Sequence, residues 1–148
     1  MALVALGRAT GRLFTEALEP TGLKPRHLGV LGRLRLGPLT QQSLADAVHT
    51  DPTQLVALLN ELEAAELVSR RRDPDDRRRH IVELSSAGSR RLAEAERRVE
   101  QAEQRLLAGL TLSERGQFAQ VLGMIVANTG ITIDCDSVTD ASVDIDTC

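Results

Sequence analysis

Six arginines crowd one short stretch of the chain. Arg70, Arg71 and Arg72 are followed by Asp73-Pro74-Asp75-Asp76 and then by Arg77, Arg78 and Arg79. Guanidiniums at this density repel one another unless an anion is near. Each presents a planar fork of donors that suits phosphate oxygens and the narrow minor groove of a duplex. The intervening carboxylates can hold some of these arginines in fixed rotamers. The same stretch offers paired carboxylates, Asp75 and Asp76, with His80 close behind. On an exposed turn among arginines those carboxylates stay ionised and no pocket excludes water, which argues against acid–base catalysis. The sequence contains no nucleophile–base arrangement, no phosphate loop and no Cys/His cluster at metal spacing. The expectation is therefore no enzyme, no metal and no cofactor.

A second set of chemistry-bearing residues opens a helix. Asp51-Pro52-Thr53-Gln54 puts an N-cap carboxylate, a first-turn proline and a Gln at the capping-box position in order. Leu55, Leu58, Leu59 and Leu62 then form one buried face, leaving Thr53, Gln54 and Ala57 outward, with Asn60 and Glu61 a turn further on. Gln can pair bidentately with adenine, and Thr can hydrogen-bond a base or touch a thymine methyl. Free backbone N–H groups at the start of this helix are also expected to suit a phosphate. Pro52, Thr53, Gln54, Ala57 and Asn60 are the candidate base-reading residues. Thr40 at the preceding helix and Arg72, Arg77, Arg78 and Arg79 on the hairpin are further DNA-contact candidates.

The elements that must position these groups are legible from periodicity. Apolar spacing predicts a helix over Leu3 to Leu18, weakened by Gly7 and Gly11, and another from Pro25 to about Leu36, ended by Gly37-Pro38. Thr40 caps a short helix to about His49, and the helix from Pro52 reaches about Ala65. Leu67 to Arg72 and His80 to Leu84 read as two strands of a hairpin. Ser85 or Ser86 caps a long charged helix whose stripe is Leu92, Val99 and Leu106 beside Ala95 and Ala102, a spacing suited to packing on another helix, across a dimer for instance. Thr111-Leu112-Ser113-Glu114 is a second capping box, opening a last helix that Asn128-Thr129-Gly130 ends.

Composition agrees. Apolar residues make up 42% but aromatics only 1%, so the core must be built from Leu, Val, Ile and Ala, which favours helices. The net charge of −3 conceals an asymmetry: Lys24 to Arg91 holds twelve basic and nine acidic residues, while Ile131 onward holds five Asp and no Lys or Arg. A basic middle and an acidic tail suggest a polyanionic partner. Cys135 and Cys148 both lie in that tail and read as passive. No apolar run is long enough to span a bilayer, and the N-terminus lacks a secretory pattern, so the expected location is cytoplasmic.

The fold class is thus mainly α with a small β-hairpin wing: a winged helix-turn-helix with flanking helices. Residues 1–36 are expected to form N-terminal supporting helices, 37–88 the DNA-binding core, 89–130 the C-terminal helices, and 131–148 a flexible acidic tail.

Residues 23–92 resemble the winged-helix core of the MarR family of bacterial regulators. The resemblance rests on Leu23 to Leu31, Leu39 to Ala45, Leu62-Glu63, Leu67 to Arg71, Asp73 to Arg79 and Val82 to Gly88. The family's Asp-x-Arg wing pattern falls on Asp76 and Arg78, giving them a wing-structuring role. The resemblance implies an obligate homodimer, with the flanking helices of residues 1–36 and 89–130 as dimerisation helices, bound to a roughly palindromic double-stranded operator, usually a repressor released by a small molecule or oxidant. Phe14, His27 and Leu31 are the candidate lining of an effector pocket. An alternative is a winged-helix module used only for protein binding. Three positions depart from the pattern. Glu66 stands where Gly is common, Ala57 where a polar or basic residue is common, and Lys24 where a capping Thr or Ser is usual.

Overall fold

The computed structural model describes residues 1–74, 76 and 79–129, with the side chain of Thr129 excepted. Helix α1 (Ala2–Leu18) and a single 3-10 turn (Glu19–Thr21) lead to α2 (Pro25–Arg35), β1 (Leu39–Thr40), α3 (Gln41–Ala47) and α4 (Pro52–Ala64). Strands β2 (Val68–Arg72) and β3 (His80–Leu84) follow, then α5 (Ser86–Leu106) and α6 (Leu112–Thr129). The chain falls into two compact units, the first ending at Ala102 and the second starting at Glu103.

The hairpin gains a third strand that periodicity does not reveal. β3 lies between β1 and β2, both antiparallel to it, with Leu39 opposite Val82 and Thr40 opposite Ile81. In the hairpin Val68, Arg70 and Arg72 sit opposite Leu84, Val82 and His80. Side chains alternate across a sheet, so these six share one face, and Arg71 and Ser69 take the other. Val68 and Val82 are buried, which makes the Arg70 face the one turned to the core.

That core is almost wholly aliphatic. Leu18 and Leu23 meet Val30, Leu31 and Leu34 of α2, Leu44 of α3, the four leucines of α4, Leu67, Val68 and Val82 of the wing base, and Leu92 and Ala95 of α5. The α5 stripe is consequently divided. Leu92 and Ala95 are buried in the first unit and Val99 packs against its core, whereas Leu106 is exposed. Much of the spacing that suggests a partner helix serves the protomer's own interior.

Two local devices join the wing to α5. Glu66 adopts a left-handed backbone at φ 58°, the conformation that favours Gly and costs another residue roughly 1 kcal/mol. Its carbonyl then accepts the Ser85 hydroxyl at 2.7 Å, and Ser85 Oγ accepts the Gly88 N–H at 2.9 Å as the cap of α5. At α6 the expected capping box forms in both directions: Thr111 N–H donates to Glu114 Oε2 at 2.8 Å, and Glu114 N–H to Thr111 Oγ1 at 3.3 Å.

Candidate nucleic-acid interface

Helix α4 buries Leu55, Leu58, Leu59 and Leu62 and exposes Pro52, Thr53, Gln54, Val56, Ala57, Asn60 and Glu61. At 100° per residue, Thr53, Ala57 and Asn60 lie along the outward line, with Val56 on one shoulder and Gln54 and Glu61 on the other. The sequence-derived candidates on this helix therefore share one solvent-facing surface. Val56 belongs to it as well and is hidden in the sequence among the leucines that flank it.

The start of α4 is not an open phosphate site. Asp51 Oδ1 accepts the N–H groups of Thr53 at 2.8 Å and Gln54 at 3.4 Å, the Leu55 N–H donates to the Asp51 carbonyl, and Pro52 has no N–H. The residue that starts the helix so clearly in the sequence also consumes the donors that sequence reasoning left free. Thr40 is a cap too: its Oγ1 accepts the Ser43 N–H at 3.1 Å and pairs with Ser43 Oγ at 2.8 Å.

Both acids on α4 are matched by bases from other elements. Lys24 Nζ lies 2.8 Å and Arg26 Nη2 3.2 Å from the Glu61 carboxylate, and His27 Nε2 is 3.1 Å away. Glu63 receives Arg70 Nε at 3.0 Å and a further Nη2 bond. Arg70 Nη2 also donates to Asn60 Oδ1 at 2.6 Å. Hydrogen bonds from Lys24 to Glu61 and from Arg70 to Glu63 hold both carboxyl pKa values below their ordinary value, which favours the ionised form. Arg70 is thus set apart from Arg71, Arg72 and Arg79, the other hairpin arginines that are described. It braces α4 against the sheet, a role that follows from its register opposite Val82 on the core side.

The remaining hairpin arginines that are described point to solvent. Arg71 Nε reaches Glu83 Oε1 at 2.5 Å across the strands, and Arg79 Nε lies 3.3 Å from Asp76 Oδ2. Arg72, the last residue of β2, is exposed. The wing pair expected from Asp76 includes Arg78, which with Asp75 and Arg77 lies outside the described residues, as does the tail with Cys135 and Cys148. Asp76 is engaged by Arg79.

The three effector candidates fall in different settings. Leu31 is fully buried in the core, Phe14 is half-buried on α1, and His27 is buried at the start of α2. His27 takes over the capping work that Lys24 cannot do with its own side chain. Its Nδ1 accepts the Lys24 N–H at 3.2 Å, which places the proton on Nε2 and directs it to Glu61. Two clefts on the first unit are lined by other residues, Leu34, Pro38 and Ser86 among those of one and Gly7, Gly11 and Thr15 among those of the other.

Burial pushes the His27 pKa below its ordinary value, against the opposing pull of Glu61 and with the help of Lys24 and Arg26. An unfolded chain then takes up the proton first as the pH falls. The contribution of neutral His27 to stability is full above about pH 6.5 and is lost as the pH drops from there toward the lowered value. Thermal unfolding between pH 7.5 and 5.5 should show a falling midpoint that is flatter in His27→Gln. Equal slopes in the two proteins would contradict this role.

The assembly of helix α3, a four-residue turn, α4 and a three-stranded wing defines a winged helix-turn-helix. The comparisons with known proteins specify it further. A family model described as MarR family matches residues 21–79. The chain is 33% identical over 116 residues to a Thauera aromatica protein named for transcriptional regulation of the hcr operon, covering 77% of this chain and 70% of that one. Among solved structures it is similar to a MarR family transcriptional regulator from Rhodococcus sp. RHA1, with 30% identity, a TM-score of 0.70 and coverage of 88% and 93%. It is likewise similar to the transcriptional repressor CouR bound to a 23-mer DNA duplex, with 31% identity, a TM-score of 0.74 and coverage of 84% and 89%. The chain belongs to the MarR family of transcription regulators.

Proposed function

We propose that the protein is a homodimeric, sequence-specific binder of double-stranded DNA. It acts in the cytoplasm on a roughly palindromic operator as a repressor released by a small-molecule effector, and it has no catalytic role. The observation that carries this reading is the outward face of α4, Thr53, Gln54, Val56 and Ala57, standing beside an arginine-rich hairpin whose Arg70 ties the two together. A helix face without spare negative charge beside a basic hairpin is what a major groove and its flanking phosphates require. The solved complex of the similar repressor CouR with a DNA duplex supports the same partner.

Dimerisation is supported by apolar side chains that are exposed among the described residues: Leu3 and Val4 on α1, and Leu112, Val121 and Met124 on α6. Residues 1–36 and 89–130 are the proposed dimerisation segments, and 37–88 the DNA-binding core. Among the described residues no helix is long and apolar enough to cross a membrane.

The test is titration of a labelled duplex from upstream of the protein's own gene at several salt concentrations, with the protein's mass measured by sedimentation. A dimer binding with a steep salt dependence is expected. Arg77→Ala combined with Arg78→Ala should weaken binding to all duplexes about equally and flatten the log–log salt slope by about two units, one per lost phosphate contact. Unchanged affinity and slope in the folded double variant would overturn the wing's role, and failure to bind any duplex would overturn the function.

A further inference from the structure

The base-reading face of α4 is short of hydrogen-bonding groups, and this has consequences for the DNA it can select. Asn60 is the polar residue best placed in the middle of that face, but its Oδ1 accepts Arg70 Nη2 at 2.6 Å. A bidentate pair with adenine needs both the oxygen and the amide nitrogen of the side chain in one plane, and the bond to Arg70 takes one of that oxygen's two lone pairs and holds it toward the wing. Glu61 and Glu63 are held by Lys24, Arg26 and Arg70. The Thr53 and Gln54 N–H groups are consumed by Asp51. What remains is two polar side chains, Thr53 and Gln54, and an apolar step made by Val56 and Ala57, both exposed on a helix whose other four large aliphatics are all buried. Val56 keeps 36% of its surface open.

A β-branched residue on the shoulder of the outward face loses side-chain rotamer freedom, and Val56 still leaves an apolar surface open to solvent in the free protomer. In the major groove the feature complementary to it is the 5-methyl group of thymine, the one methyl that an unmodified base pair displays there. We propose that Val56, with Ala57 beside it, selects the operator by packing against thymine methyl groups, so that each half-site carries T·A pairs under this step. The proposal rests on the DNA-binding reading and deepens it: discrimination by α4 comes chiefly from methyl contacts, with Gln54 and Thr53 adding polar contacts at the flank.

The experiment removes methyl groups without touching any hydrogen bond. The full-length protein selects duplexes from a random-sequence library, and the selected duplex is remade with each dT in turn replaced by dU. At one or two positions per half-site the change should weaken binding about fourfold, the worth of burying one methyl-sized group. In Val56→Ala, a substitution that favours the helix and leaves the core intact, the dT-to-dU ratio at one of those positions should fall toward one. Restoring the methyl at a substituted position with 5-methylcytosine paired to dG should recover part of the loss. The proposal is overturned if no dU substitution changes the affinity of a duplex that is otherwise bound with normal salt dependence. It is equally overturned if Val56→Ala shows the same ratios as the unaltered protein. Those results leave DNA binding itself standing, whereas selection of no duplex at all removes both.

Discussion

Gly88→Ala is expected to destabilise the fold by about 3 kcal/mol or more, a large share of the total for a domain of this size. A Cβ at this position would lie 2.1 Å from the Leu67 carbonyl oxygen and 2.8 Å from Leu84 Cδ1. The first neighbour is backbone and cannot rotate aside. That carbonyl accepts the Ser85 N–H at 3.0 Å, and the Leu67 N–H is itself bonded to the Leu62 carbonyl at 2.9 Å, so the strand start is fixed from both sides. Accommodating the methyl requires the first turn of α5 to lift, which breaks the Ser85 cap and its bond to Glu66. It also draws Leu92 and Ala95 out of a core that contains no aromatic residue to compensate. Urea unfolding measures the effect, with Ser89→Ala on the exposed side of the same turn as the control, expected within about 0.5 kcal/mol of the parent. A Gly88→Ala midpoint as close to the parent as the control's would mean that α5 is not seated on the Leu67 carbonyl.

This glycine illustrates what the sequence can and cannot reveal. Helix starts were legible wherever a side chain does the capping, because Asp51 before Pro52 and Thr111 before Glu114 each act on donors two or three residues ahead. The hairpin strands were legible from turn chemistry. β1 was not, since two residues cannot display alternation, and Leu39 and Thr40 become a strand only because β3 passes beside them. Glu61 looked like a solvent charge. Its three partners lie 34 to 37 positions earlier, and nothing in the local pattern joins α2 to α4. Val56 was overlooked because its neighbours Leu55, Leu58 and Leu59 drew the helix's apolar face, and a single exposed aliphatic has no periodicity of its own. Glu66 is the reverse case: the resemblance expects a glycine there, and the backbone keeps the glycine-like conformation with a glutamate in it.

Arg70→Ala should lower affinity for the selected operator by about tenfold while leaving the salt slope nearly unchanged, a pattern unlike that of any other hairpin arginine. The six arginines look equivalent in sequence, but among those on β2 the register and burial single out Arg70. Arg70 sits opposite Val82 on the core side of the sheet, and its side chain is only 20% exposed. It donates to Glu63 and Asn60 on α4 rather than to solvent. Its removal leaves the ionised Glu63 without its partner on a helix that must approach phosphates, and releases Asn60 to rotate over the reading surface. Both effects act on how α4 meets the bases, so binding to the selected operator should fall further than binding to a random duplex. Arg72, exposed at the end of the same strand, provides the contrast: Arg72→Ala should weaken both duplexes by the same factor and flatten the slope by about one unit. Adding Glu63→Gln to Arg70→Ala separates the two consequences. It removes the unpaired charge but not the freed Asn60, so affinity should recover in part while discrimination stays low. Equal losses on operator and random duplex in Arg70→Ala, with a slope reduced by one unit, would make Arg70 a phosphate contact like its neighbours and not the brace between wing and helix.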